Sequence, residues 1–267
     1  MEEYILATII VLTNQKGGVG KTTTSTALAA GLVSFYNKKV LAIDLDPQGN
    51  MGFSLGLDIE DGRTIHDVMI GRTSAREAIQ TTDYCDVITS NILLSSAELE
   101  FNFSDRELLL KNSLAPVAAD YDFIIVDTPP ALNILTVNAY AMADYLIIPM
   151  APEILSLLAV TQIKETIDSV RESLNPHLDV LGILLTKYNP RTVLAREVKE
   201  MAENIASQIG TCVFDTQIRS SVSVAEAPAH GLSIFDYAPR AKPSEDYMSF
   251  IKEIRIMMRT KTLQEVR

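Results

Sequence analysis

Short runs of apolar, β-branched residues recur along the chain, separated by longer stretches with helical spacing of apolar and polar positions. Thr8–Leu12, Val40–Ile43, Phe123–Val126, Tyr145–Pro149 and Leu181–Leu185 are apolar at nearly every position, which predicts strands buried on both faces. Between them, Thr22–Tyr36, Arg106–Ala119, Ser156–Leu174 and Val193–Ile209 predict helices. Strands alternating with helices at this spacing predict βαβ units, hence an α/β fold with a mostly parallel sheet flanked by helices. No repeat, low-complexity stretch or linker-like shift interrupts residues 1–267, so a single domain is expected. Gly49–Gly62, rich in Gly and Asp, predicts a surface loop.

The 267 residues are 47% apolar and 21% charged, enough to fill a sizeable core and too apolar for a disordered chain. Two cysteines, Cys85 and Cys212, exclude a disulfide framework and a four-thiolate zinc site. The longest near-apolar run, Ile5 to Leu12, is a strand's length, far short of the roughly 20 residues of a spanning helix. The chain starts Met1-Glu2-Glu3 without a basic segment, and a cytoplasmic location is expected. A net charge of −11 argues against a surface that binds polyanions everywhere and leaves a local basic patch open.

Candidate chemistry gathers where strands end, the edge at which open parallel sheets place ligands. After the first strand comes Asn14-Gln15-Lys16-Gly17-Gly18-Val19-Gly20-Lys21-Thr22-Thr23, running directly into a helix. Glycines let backbone N–H groups converge on phosphate oxygens, and the helix N-terminus adds partial positive charge. In such a loop Lys21 reaches the β- and γ-phosphates and the Thr22 hydroxyl ligates Mg²⁺. The usual first glycine of the phosphate loop is Gln15 here, and an additional lysine, Lys16, stands inside the loop. Phe123-Ile124-Ile125-Val126-Asp127 drives four apolar residues into an acid, the arrangement that holds a carboxylate at Mg²⁺ on a rigid strand. Asp44-Leu45-Asp46 places two acids one residue apart at another strand end, where a cation or hydrogen bonds must offset their repulsion; a solvated acidic loop is the plainer reading.

Lys-Gly-Gly-Val-Gly-Lys-Thr at residues 16–22 resembles the deviant Walker A loop of the ParA/MinD group of P-loop ATPases. Asp44-Leu45-Asp46-Pro47-Gln48-Gly49-Asn50 and Asp127-Thr128-Pro129-Pro130 resemble the corresponding segments of ParA and Soj proteins. Ala225–Leu232 and Tyr237-Ala238-Pro239-Arg240 resemble their C-terminal region. The resemblance implies that ATP and Mg²⁺ bind along Gly17, Gly18, Val19, Gly20, Lys21, Thr22 and Thr23. It implies that Lys16 reaches the partner's nucleotide in an ATP-dependent homodimer, that Asp46 positions the hydrolytic water, and that Asp44 and Asp127 stand near the metal. Asn189 matches the position beside the adenine, although Asn before Pro also marks an ordinary turn.

For partners, the resemblance implies non-specific DNA bound by the ATP-bound dimer, nucleoid association, and a ParB-like protein that stimulates hydrolysis and release. Arg191 matches a DNA-contacting arginine of Soj-like proteins. Ser223 stands where those proteins carry another basic residue, and Arg219 is the nearest substitute. A MinD-like ATPase on membranes, an ATPase positioning protein cargo and an ATP-dependent small-molecule ligase stay open as alternatives. The apolar positions of Phe250–Arg259 are expected to pack on the sheet rather than enter a membrane. Cys85 and Cys212 lie outside the segments that would hold a shared iron–sulfur cluster, which excludes an electron-transfer ATPase.

Overall fold

The computed structural model describes residues 7–57, 62–101 and 104–265, with backbone alone at 155 and 262–265. The acidic start Met1-Glu2-Glu3, Val266 and the Leu263 side chain lie outside the described residues. Among the described residues seven strands form one sheet: β1 (Thr8–Leu12), β2 (Val40–Asp44), β3 (Gln80–Thr81), β4 (Asp86–Ile88), β5 (Phe123–Asp127), β6 (Tyr145–Met150) and β7 (Asp179–Leu185). They lie in the order β3-β4-β2-β5-β1-β6-β7, all parallel except β3, which pairs antiparallel with β4. The α/β reading thus holds. The two- and three-residue strands β3 and β4 are too short to show an apolar run, so periodicity does not find them.

Side chains alternate between two cores, as a period of two requires. Val11, Leu41, Ile43, Ile124 and Val126 enter one apolar cluster. Their neighbours Ile10, Leu12, Val40, Ala42 and Ile125 enter the other. Six main helices cover the faces: α1 (Lys21–Tyr36), α2 (Leu109–Ala118), α3 (Ile134–Met142), α4 (Ile154–Ser173), α5 (Val193–Ile209) and α6 (Lys242–Glu265). α5 begins at Thr192, whose hydroxyl accepts from the Ala195 N–H at 3.3 Å, and ends at Gly210 with φ 81°. α1 and α6 pack so closely that a Cβ on Gly31 would stand 2.2 Å from Ile251 Cδ1. Phe250, Ile251 and Ile254 are fully buried there. Burial of each such side chain contributes roughly 1.5–3 kcal/mol, which holds the apolar stripe of α6 on the molecule.

One local expectation is corrected. The loop expected over Gly49–Gly62 contains a short helix, Asn50–Ser54. Gly49 turns into it with φ 66°, and the Met51 N–H donates to the buried Asp44 carboxylate at 3.0 Å. A side-chain acceptor seven residues upstream supplies what local propensity lacks.

Candidate nucleotide site

β1 and β5 are in register from Thr8 opposite Phe123 to Leu12 opposite Asp127, so the loop after β1 lies beside the acid that ends β5. Within that loop, Gly18 and Gly20 take φ 74° and 86°, a region L-residues avoid. A Cβ on Gly17 or Gly18 would meet nothing within 4 Å, so both face open space where an anion fits. Asn14 fixes the loop: its Nδ2 donates to the Pro149 carbonyl at 2.8 Å and its Oδ1 accepts from the Lys16 N–H at 2.9 Å. Thr186, just past β7, donates its hydroxyl to the buried Val19's carbonyl at 2.7 Å.

Beneath the loop, Asp127 is 1% exposed. It accepts from the Thr22 hydroxyl at 2.6 Å and from the Ser25 hydroxyl at 3.1 Å. Burial pushes its carboxyl up to about 6, against the opposing pull of the Thr22 hydrogen bond and the Lys21 charge. Lys21 is held down by burial, opposed by Asp127 and Asp46, and its Nζ donates to the Lys16 carbonyl at 3.3 Å. An ammonium this desolvated, flanked by two carboxylates, sits where a polyphosphate would complete its hydrogen bonds.

A cavity of about 510 Å³ opens over these groups. Gly17, Gly18, Gly20, Lys21, Thr22, Thr23 and Asp46 line it, together with Thr186, Lys187, Arg219, Val224, Pro228 and Tyr247. Lys187 holds φ 51°, a strained backbone at the cavity rim. Among the described residues no three His, Cys, Asp or Glu side chains converge as a metal cage. Mg²⁺ takes one or two protein oxygens together with phosphates and water, and the Thr22–Asp127 pair fits that sparse donor set.

Several expected residues have placements the sequence does not reveal. Asp44 is fully buried and does not line the cavity; its oxygens accept from the Asp46 and Met51 N–H groups at 2.9 and 3.0 Å. Burial and the neighbouring Asp127 hold its carboxyl well above the ordinary range, so it shapes the loop that presents Asp46. Lys16 points to α4, forming an ion pair with Glu153, with Ser156 Oγ at 3.4 Å. Asn189 is exposed and outside the cavity lining, its Oδ1 accepting from the Arg191 N–H at 3.1 Å. Arg191 is exposed on the approach to α5. Arg219 is committed: its Nε donates to both Asp246 oxygens at 3.1 and 2.8 Å, on the cavity wall.

Ser25, Thr186 and Tyr247 go unnoticed in the sequence. Ser25 carries a usable signal, standing three residues past Thr22 on the same helix face. Thr186 and Tyr247 carry none, because only tertiary packing brings them to the loop.

Sheet order, loop and carboxylate define a P-loop nucleotide-binding protein, and comparison with known proteins narrows the class. A family model described as an AAA domain matches residues 7–180. The chromosome-partitioning ATPase Soj of Treponema pallidum is 40% identical over 248 residues, 92% of this chain and 96% of that protein. The sporulation initiation inhibitor protein Soj of Bacillus subtilis is 38% identical over 250 residues, 92% of this chain and 97% of that one. A solved structure from Mycobacterium smegmatis, described as cobyrinic acid a,c-diamide synthase with bound ATP analogue and magnesium, superposes with a TM-score of 0.82. It is 32% identical and covers 92% of this chain and 93% of its own. The chain belongs to the ParA/Soj family of partition ATPases.

Proposed function

We propose that this chain, one P-loop unit over residues 1–267, is an ATP-hydrolysing switch for DNA partition. The observation that carries the reading is the Thr22 hydroxyl hydrogen-bonded to the buried Asp127 under a glycine loop, with Lys21 and Asp46 on the wall of the same cavity. N–H groups of Gly17–Thr23 and the Lys21 ammonium bind the ATP phosphates. Thr22 and Asp127 would hold Mg²⁺, which would supply charge neutralisation at the phosphate oxygens. Asp46, a carboxylate at the cavity edge, orients the attacking water rather than acting as a strong base. Asn189, outside the lining here, meets the adenine only if the rim closes on it.

In the ATP-bound homodimer Lys16 leaves Glu153 and completes the partner's site. That dimer binds DNA without sequence preference through Arg191, exposed beside α5 and supported by Arg196 and Lys199. Arg219, already paired with Asp246, contributes less. A ParB-like protein accelerates hydrolysis and resets the state, and the location is cytoplasmic, on the nucleoid. Among the described residues no helix is long and apolar enough to cross a membrane. The buried Phe250, Ile251 and Ile254 weigh against a MinD-like membrane helix. A second reading, ATP-driven amide formation on a small carboxylate, draws on the likeness to the Mycobacterium smegmatis structure.

The test is binding of random-sequence duplex DNA at low salt with ATP, with ADP and without nucleotide, for wild type, Arg191→Ala and Lys16→Ala. ATP-dependent binding that is weakened in Arg191→Ala and lost in Lys16→Ala supports the switch. Hydrolysis without DNA binding under any nucleotide overturns it and favours the small-molecule reading. Because each phosphate contact adds about −0.9 to the log–log salt slope, Arg191→Ala is expected to flatten that slope by about one per arginine.

A further inference from the structure

Two neighbouring segments that both line the cavity pack side by side, and their backbones approach closely at one pair of glycines. The first runs from Asp46 through the helix Asn50–Ser54 to Gly56, and its Asp46, Asn50, Phe53 and Ser54 line the cavity. The second runs from the helix Val222–Glu226 through the turn Ala227–His230 to Gly231, and its Val224, Ala225 and Pro228 line the cavity. Gly56 and Gly231 take φ 81° and 62°. A Cβ on Gly231 would stand 2.7 Å from Gly56 Cα, and a Cβ on Gly56 would stand 3.3 Å from the Gly231 carbonyl oxygen. Both obstacles are backbone, so neither yields by a rotamer change, and a side chain at Gly231 must push the two segments apart.

We propose that the Gly56–Gly231 joint is a positioning device for hydrolysis. It holds the segment bearing Asp46 at a fixed distance from the neighbouring segment, residues 222–231, which lines the same cavity. The route from joint to Asp46 is short and well tied. The Leu55 N–H donates to the Met51 carbonyl at 3.1 Å, the Met51 N–H to Asp44, and the Asp46 N–H to the same Asp44 carboxylate. Through these bonds a displacement at Gly56 reaches the Asp46 backbone, while the hydrogen bonds that fix the glycine loop run elsewhere, to Pro149 through Asn14 and to Thr186 through Val19. Opening the joint therefore misplaces the water-orienting carboxylate and spares the phosphate grip. The proposal rests on the ATPase reading above.

Three glycines with similar backbone and different surroundings make the test. Gly231→Ala meets backbone at 2.7 Å, Gly56→Ala meets it at 3.3 Å, and Gly71→Ala, at φ 72°, meets nothing within 4 Å. All three carry the same left-handed strain, so the series isolates the contact from the conformational penalty. ADP affinity by calorimetry, single-turnover ATP hydrolysis and thermal melting are measured for each. A misplacement of about 1 Å costs roughly 10²-fold in rate, so Gly231→Ala is expected to hydrolyse ATP some ten- to hundredfold slower. Gly56→Ala is expected to fall between it and wild type, and Gly71→Ala to match wild type. ADP affinity is expected to stay within about threefold throughout, because the phosphate grip is left intact. Equal hydrolysis in Gly231→Ala and Gly71→Ala overturns the proposal, as does a loss of ADP binding that parallels the loss of rate. Absence of hydrolysis in wild type would instead strike the ATPase reading itself.

Discussion

Around one cavity, one part of the lining comes from a single loop and helix start, residues 17–23, with Asp46 from the turn after β2 and Asp127 buried beneath. The rest draws Thr186 and Lys187, residues 218–221, Val224, Ala225, Pro228 and Tyr247 from separate stretches of the chain. The first part spends backbone N–H groups and fixed spacing, because an anion is recognised by converging dipoles and one ammonium. The rest offers apolar surface and tied-down charge, illustrated by Arg219 on Asp246. Recognition by spacing leaves a local motif; recognition by assembled surface leaves none.

Substitutions in the two parts should therefore fail in different ways. The largest effect is expected from Lys21→Ala, which removes a cation desolvated beside Asp127 and Asp46. Loss of such a preorganised charge costs roughly 10²–10³ in hydrolysis. Nucleotide affinity should fall with it in an equilibrium titration, and parity with wild type would break the assignment of this part to phosphate.

Asp127→Asn separates stability from function. The folded carboxyl titrates at about 6, above its ordinary 3.8, because burial disfavours the charged form. The folded state thus binds the proton more tightly than the unfolded state, and ionising this group opposes folding as pH rises through that interval. The penalty is absent below the ordinary value and complete above about 6. Asp127→Asn is expected to stabilise the chain by about 1–3 kcal/mol at pH 7.5, with the gain fading toward pH 4, while Mg²⁺-dependent hydrolysis is lost. Denaturant melts at the two pH values check the sign.

In the rest of the lining, Arg219→Ala strands a nearly buried Asp246. A carboxylate left without its guanidinium destabilises by about 1–3 kcal/mol, and KM for ATP is expected to rise roughly three- to tenfold with kcat little changed. A fall in kcat alone would place Arg219 with the chemistry instead. The smallest effect is expected from Glu153→Gln, which frees Lys16 from a half-exposed ion pair. Such pairs contribute about 0–1 kcal/mol, so ATP-dependent dimerisation in sedimentation should tighten by no more than about fivefold.

The same contrast explains what the sequence disclosed. Five strands, the four longer inner helices and the phosphate loop are legible, because apolar runs and a glycine-lysine motif depend on neighbours in the chain. The helix Asn50–Ser54 is illegible, since its start is fixed by Asp44 across a turn. Asp44 itself reads as a metal-side acid by proximity to Asp46, yet its buried oxygens are occupied by backbone N–H groups. Arg219 reads as a free cation because its partner, Asp246, lies 27 residues further on.

If hydrolysis placed by Asp46 resets the DNA-bound state, Asp46→Ala should trap it. Wild type and variant are loaded onto surface-bound random-sequence duplex with ATP, and dissociation is followed after free ATP is washed out. The variant is expected to load equally and to remain bound long after wild type has left. Loading followed by release at the wild-type rate would contradict the account, because departure from DNA would then owe nothing to the chemistry at this carboxylate.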